Sequence, residues 1–348
     1  VTILRDRAPL VPPSPARIRA RRVGLVLGLL ALLVLTSLAS LAFGAKEIPL
    51  PEVWSAVVAP TGTENDIVVR SLRVPRTLLG AAVGVALGMA GALMQGHTRN
   101  PLAEPGLLGV SAGAAFLVVL GIHALGVSDL HGYVWFAFVG AFAASVAVFV
   151  LGSASRDGAT PVTLALAGVA VTYLLSALTS ALVLADSQTL DQYRFWAVGS
   201  LAGRDADVAV QVAPFLLAGV VLALVNSPGL NMLSLGEDVA RGLGVDLTAT
   251  RWTGLAAITL LTGAAVAACG PIAFLGLVVP HVCRALTGPD HRWLVPASGL
   301  AGAVLLLAAD VIGRVVVRPG ELQVGIVLAL VGAPFFVLLV RRRKLAGL

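Results

Sequence analysis

The sequence predicts an all-α, polytopic membrane protein with about ten transmembrane helices, and three observations carry that prediction. Of its 348 residues, 58% are hydrophobic and only 12% are charged, whereas a soluble domain is about one-quarter charged. The mean hydropathy is +0.95, more apolar than water tolerates at this length. Uncharged runs recur from end to end, many of them near the roughly 20 apolar residues that a helix needs to cross a bilayer.

Taken in order, residues 1–22 are polar, with Pro9, Pro12, Pro13, Pro15 and six arginines, and predict a mostly disordered cytosolic tail. Residues 23–45 form the first span. A signal peptide is the competing reading, because Ser40-Leu41-Ala42 resembles a cleavage site. A signal h-region is only about 7–15 residues long, which favours a retained span. Further uncharged runs lie at 77–94, 105–128, 132–155, 159–185 and 208–236. Residues 252–280 are too long a run for one crossing. Cys269-Gly270-Pro271 near its middle predicts a tight reversal and hence two spans. Runs at 293–309 and 322–340 complete the set, so 23–340 is the membrane domain and 341–348 a basic cytosolic tail.

Ten spans put both termini on one side. With that side cytosolic, 16 Lys and Arg fall inside and 8 outside, while acidic residues divide 7 inside and 11 outside, as the positive-inside rule requires. The net charge of +6 therefore reflects topology and lipid contact and gives no sign of nucleic acid. Cys269 and Cys283 sit in apolar stretches and read as small hydrophobes. None of the five histidines has ligand spacing, so no metal site is expected; His281 and His291 suit capping and hydrogen bonding at a cytosolic turn.

The only lysines are Lys46 and Lys344, and neither follows a glycine-rich loop. A phosphate-binding loop needs such a lysine, so ATP hydrolysis belongs to another polypeptide and the chain itself binds no cofactor. The spans also lack the interior carboxylates common in ion-coupled carriers; Asp310 lies at a span end. That weighs against an ion-coupled secondary transporter; a non-transporting membrane scaffold is a further alternative.

Four segments invite a function. Gly80, Gly84, Gly88, Ala92 and Gly96 recur every fourth residue, a small-residue stripe for close helix packing, and Gly109 and Gly113 begin a similar one. Arg99-Asn100-Pro101 reads as a rigid turn into a helix, with Asn100 at the N-cap and Pro101 at the first helical position. Residues 233–246 read LSLGEDVARGLGVD; Leu235, Val239 and Leu243 repeat every four residues, apart from Glu237, Asp238 and Arg241. This predicts a short amphipathic helix suited to lipid or to a groove on a cytosolic partner. Arg70, Arg73 and Arg76, together with Arg314 and Arg318, fall on the outer side against the charge trend. They suit lipid headgroups or an acidic partner, since Arg offers carboxylates a planar fork.

These pieces resemble the FecCD family of permeases, which includes vitamin B12, haem and ferric siderophore importers. The resemblance rests on Arg73-Val-Pro-Arg76, GMAGALMQGHTRNPLAEPGLLGVSAGA from Gly88, LGEDVARGLGV, GPIAFLGLVVPHVCR, GPDHRWLVPASGLAGA, Ala309-Asp310 with Arg314, and GELQVGIVLALVGAPFF, in that order. It implies a type II ABC importer permease fold in a bacterial cytoplasmic membrane. It implies as partners a second permease, two cytosolic ATPases holding ATP and Mg, and an extracytoplasmic substrate-binding protein. By motif, Arg73, Arg76 and Arg314 would receive glutamates of that binding protein. Coupling to the ATPase would fall on Ser234, Leu235, Gly236, Glu237, Asp238, Val239, Ala240, Arg241 and on to Gly244. The GALMQ, RNPLAEPGLLGV and GELQVGIV segments look most like the first permease of ferric siderophore systems, which favours a heterodimer and a siderophore over haem or cobalamin.

Overall fold

In the computed structural model of the chain, residues 14–44, 46–127, 130–154, 161–318 and 320–346 are described. Residues 1–13 of the expected tail lie outside these. Helix α1 is Pro15–Ala42: Ser14 accepts the Arg17 N–H at its N-cap, and Pro15 takes the first turn. This corrects the reading of 15–22 as disordered. The proline that suggested a tail is where it suits a helix start, and the arginines after it are good helix formers. A short α2 (Leu50–Val58) and α3 (Glu64–Ile67) lead through a π-helical turn, Val68–Arg73, into α4 (Val74–Thr98).

The rest of the chain runs through α5 (Val110–Leu125), α6 (Leu130–Ser153), α7 (Pro161–Ala185), α8 (Ser187–Ala197), α9 (Ala206–Leu233) and α10 (Glu237–Gly242). It continues in α11 (Leu247–Cys269), α12 (Leu275–Thr287), α13 (His291–Val316) and α14 (Val324–Ala346). The expected reversal is present: α11 stops at Cys269, and Gly270 takes φ +75, which only glycine adopts readily. The expected tail from 341 begins instead as the last turns of α14. Asn100 caps no helix. Its side chain accepts the Leu102 N–H in a turn, and the helical lead-in at Pro105–Leu108 is 3-10.

Among the described residues seven helical segments are long and apolar enough to cross a membrane: Ala16–Ala42, Glu64–Thr98, Gly132–Ser153, Val162–Ala185, Ala206–Leu233, Leu247–Cys269 and His291–Val316. Three apolar helices are shorter: Val110–Leu125, Leu275–Thr287 and Val324–Leu339. At 1.5 Å per residue, α12 covers only about 20 Å of a core roughly 30 Å thick. The stretch 270–274 before it is non-helical, and such backbone is tolerable at membrane depth only when packed in protein or lining a cavity.

Helix α4 is the hub, packed on α13, α11, α9 and α12. Its small-residue stripe explains how. A Cβ on Gly84 would fall 2.6 Å from the Gly302 carbonyl oxygen, and one on Gly80 would fall 2.9 Å from the Leu307 side chain. Gly88 meets the backbone of Ser298, Ala92 is fully buried, and Gly96 faces His291 and Leu230. Backbones this close gain dispersion contacts that larger side chains would block. Gly113 of α5 meets Gly140 of α6 in the same way. By contrast α1 and α7 are mostly uncovered, with Leu35, Leu166, Tyr173 and Leu174 exposed, as helices facing lipid or a partner subunit must be.

Candidate functional site

Two opposite faces of the bundle collect the polar side chains, and α9 joins them, running from Ala206 beside the first to Leu233 beside the second. The first is organised by Asp310 on α13, which is 2% exposed. Arg76, on the first turn of α4, donates to both Asp310 oxygens, the shortest at 2.8 Å, and reaches Glu321 at 2.9 Å. Arg314, one turn beyond Asp310, pairs with it at 2.9 Å and donates to the Ser40 carbonyl at 3.0 Å, the Ser40 Oγ at 2.8 Å and the Phe43 carbonyl at 3.1 Å. Arg73 donates to the carbonyls of Leu41, Ala42 and Lys46.

The expectation of free arginine forks is thereby corrected. Arg73 and Arg314 are 5% and 2% exposed, and they close the carbonyls that α1 leaves open at its C-terminal end. Helix ends inside a membrane protein need such donors, and Arg supplies several from one side chain. Arg76 is also largely covered. A cavity of about 560 Å³ opens beside them, lined by Arg73, Arg76, Arg314, Arg204, Glu64 and Glu321. Arg70, next in the chain to the lining residue Ser71, is exposed with no side-chain partner among the described residues, and Arg318 holds Glu47 at 2.8 Å. Sequence reasoning missed Asp310 as the hub because Arg76, the partner on a second helix, stands 234 residues away in the chain.

On the opposite face, α10 sits between Gly236 at φ +110 and Gly244 at φ +79. It is shorter than predicted, and Leu235 and Leu243 flank rather than join it. The apolar face is nevertheless present: Leu235, Val239 and Leu243 are all exposed, with Asp238 and Arg241 beside them, while Ala240 is fully buried. Glu237 ties the segment to α11 through Arg251 at 2.6 Å. Behind them lies a small cavity of about 110 Å³ lined in part by His97, Arg99, Glu237 and Arg251. His97 hydrogen-bonds Asn226 at 3.0 Å, and Asn226 donates to the Thr250 carbonyl.

His291 begins α13 and shares Asn231 with Asp290: the Asn231 Oδ1 accepts the His291 backbone N–H at 2.8 Å, and its Nδ2 donates to Asp290 at 2.7 Å. Asp290, the α13 N-cap, also meets Arg22 at 3.3 Å. Burial pushes its carboxyl upward, but the Asn231 amide, the Arg292 backbone N–H and the two arginine charges outweigh that and hold it below the usual range. His281 packs edge-on to Phe335. Both cysteines are buried and free. Among the described residues no group of His, Cys, Asp and Glu suited to a metal ion occurs.

A family model, the FecCD transport family, matches residues 32–342. The ferric enterobactin transport system permease protein FepD of Escherichia coli is 48% identical over 92% of this chain and 96% of its own length. The hemin transport system permease protein HmuU of Yersinia pestis is 38% identical over 92% and 96%. A solved metal-chelate type ABC transporter, in an inward-facing conformation, aligns with a TM-score of 0.81 at 31% identity, over 92% of this chain and 99% of that one.

Proposed function

The chain belongs to the FecCD transport family, as a multi-pass ABC importer permease, and from that premise we propose that it carries a ferric siderophore across a bacterial cytoplasmic membrane. The observation that carries the substrate class is the similarity to a ferric enterobactin permease at 48%, against 38% for a hemin permease. ATP is hydrolysed by two partner subunits, because the chain has no lysine placed for a phosphate-binding loop. A second, related permease completes the path, and uncovered α7 supports a partner there.

The α10 face is cytosolic in this reading, with both termini, and Leu235, Val239 and Leu243 insert into a groove on the ATPase. The glycines on either side let the segment project, and the Glu237–Arg251 pair transmits its displacement to α11. The Asp310 face is extracytoplasmic and receives the binding protein. Arg73 and Arg314 shape that face from inside, Arg76 stands at the cavity, and Arg70 and Arg318 supply accessible positive charge. Transport then requires that ATP favour one packing of the permease pair and that cargo bind the two packings differently.

The experiment is reconstitution of this chain with its ATPase, permease and binding-protein partners in vesicles, followed by uptake of labelled ferric siderophores, haem and cobalamin. ATP-dependent uptake of a ferric siderophore is expected. Uptake of haem or cobalamin alone overturns the substrate assignment, and uptake driven by an ion gradient without ATP overturns the mechanism.

A further inference from the structure

Helices α5 and α12 are two short members of the buried core, and neither is entered through continuous α-helix: 99–109 holds only the short 3-10 turn Pro105–Leu108, and 270–274 is non-helical. These two leads meet. The Glu104 carboxylate accepts the Phe274 backbone N–H at 2.7 Å. Pro105 lies against Gly276, and Gly276 seats backbone to backbone on Gly91 of α4. Gln95 of α4 donates to the Leu277 carbonyl at 3.2 Å. A loop that the sequence places at the cytosolic end of α4 thus climbs back to the level of Leu87, near the helix middle.

Phe274 has φ +66, a left-handed conformation that an aromatic residue keeps only when its surroundings impose it. Its Cβ and ring occupy a notch at Gly332 of α14, where an added Cβ would stand 2.6 Å from the Phe274 Cγ. Pro334 lies within α14 just beyond the notch and removes a helical hydrogen bond there. The start of α14 is held separately, by the Gly325 N–H on the Gly199 carbonyl at 3.1 Å. Beside the Gly325 attachment lies a cavity of about 360 Å³, bordered by Glu104, Ser111, Thr262, Pro271 and Gly325 and reaching Ala273, the neighbour of Phe274. The Thr262 hydroxyl is buried without a hydrogen-bond partner.

We propose that Glu104 is a positioning residue for translocation: it latches Phe274 into the α14 notch in one of the two packings between which the permease alternates. Strain at Phe274, an adjacent cavity and a proline-weakened α14 are what a two-state element needs, since packed interiors switch between discrete arrangements and do not deform continuously. Releasing the Phe274 N–H lets the residue leave the left-handed region, withdraws its ring from Gly332 and frees α14 to swing across the cavity. Glu104 acts through Phe274 and touches no cargo.

The proposal rests on the importer reading, and the test separates the two. In the vesicle-reconstituted complex, uptake and ATP hydrolysis are measured together for wild type, E104A, E104Q and F274G. E104A removes the acceptor, whereas E104Q retains a carbonyl oxygen. F274G keeps the N–H and adopts φ +66 freely but empties the notch. E104A and F274G are expected to assemble, to hydrolyse ATP at about the wild-type rate and to import about tenfold less per ATP, a typical coupling loss; E104Q should stay near wild type. Normal uptake per ATP in E104A overturns the latch, and so does E104Q as impaired as E104A. Failure of both E104A and F274G to assemble makes the contact a folding element and overturns it equally. A wild-type complex that imports no ferric chelate fails the importer reading instead.

Discussion

Gly84 of α4 and Gly302 of α13 meet backbone to backbone, with no room for a methyl group on either. Their contact sets the separation of the two helices that hold Arg76 and Asp310, so packing in the membrane interior determines polar geometry at its edge.

Substituting G84A or G302A is expected to destabilise the bundle. The obstructing atoms are backbone and cannot rotate away, and overpacking of this kind costs about 1–3 kcal/mol. The thermal midpoint of the purified protein in detergent should fall for each. A crowding origin predicts less than additive loss in the double variant, because the two residues share one contact. Fully additive losses would show that the two sites act independently.

Neutralising Asp310 leaves Arg76 and Arg314 beside each other without their common counter-charge. Breaking a buried pair by removing one partner costs about 3–5 kcal/mol. D310A should therefore lower the folded yield far more than E321A, whose carboxylate is about a third exposed. Equal stability of the two variants would remove Asp310 from its place as hub.

Replacing exposed Leu235, Val239 and Leu243 with Ser should abolish association with the ATPase while leaving the thermal midpoint of the isolated permease almost unchanged. Surface changes away from buried features usually stay within about 0.5 kcal/mol. Retained association in a pull-down would restrict the segment to lipid contact.

Charge reversal at Arg70 and Arg318 tests the docking face where charge is accessible. The double variant R70E/R318E should slow binding-protein association and weaken its dependence on salt, because peripheral charges act mainly on the on-rate. R73E should instead damage folding, since Arg73 holds the carbonyls of Leu41 and Ala42. An unchanged on-rate in the double variant would place docking elsewhere.

Asp290 carries a pH dependence. Its folded carboxyl lies below the usual range, so its contribution is complete above the unfolded carboxyl value and is lost as pH falls through the folded one. Wild type should be more stable than D290N at neutral pH, and the gap should close in acid. A gap that persists in acid would assign the difference to packing.

Much of this was legible along the chain because it is written locally. The α11–α12 reversal follows from Gly270 and Pro271, the stripe on α4 from one period, and the exposed face around α10 from another. What stayed hidden depends on partners remote in sequence. Asp310 looked like a charge at a span end until Arg76, 234 residues before it, reached across to it. Glu104 gave no local sign of a partner, because nothing in the sequence says that the segment after α4 turns inward to reach Phe274. The arginines at 73 and 314 look the same in sequence whether they face solvent or carbonyls. Only the position of the α1 terminus decides between these environments.

Helix α1 shows a further consequence. Arg22 near one end reaches the Thr287 carbonyl and Asp290, and Ser40 near the other engages Arg314 and Thr77. The two residues are about five full turns apart, roughly 27 Å of helix at 3.6 residues per turn, so both point the same way. Helix α1 is thus a ruler with a mark at each end and an uncovered apolar edge between. The composition of its outer edge is free to drift among apolar residues, but its length is not. One residue inserted at its middle would turn one mark by about 100° away from α13, whereas a full-turn insertion would preserve direction and miss only in height.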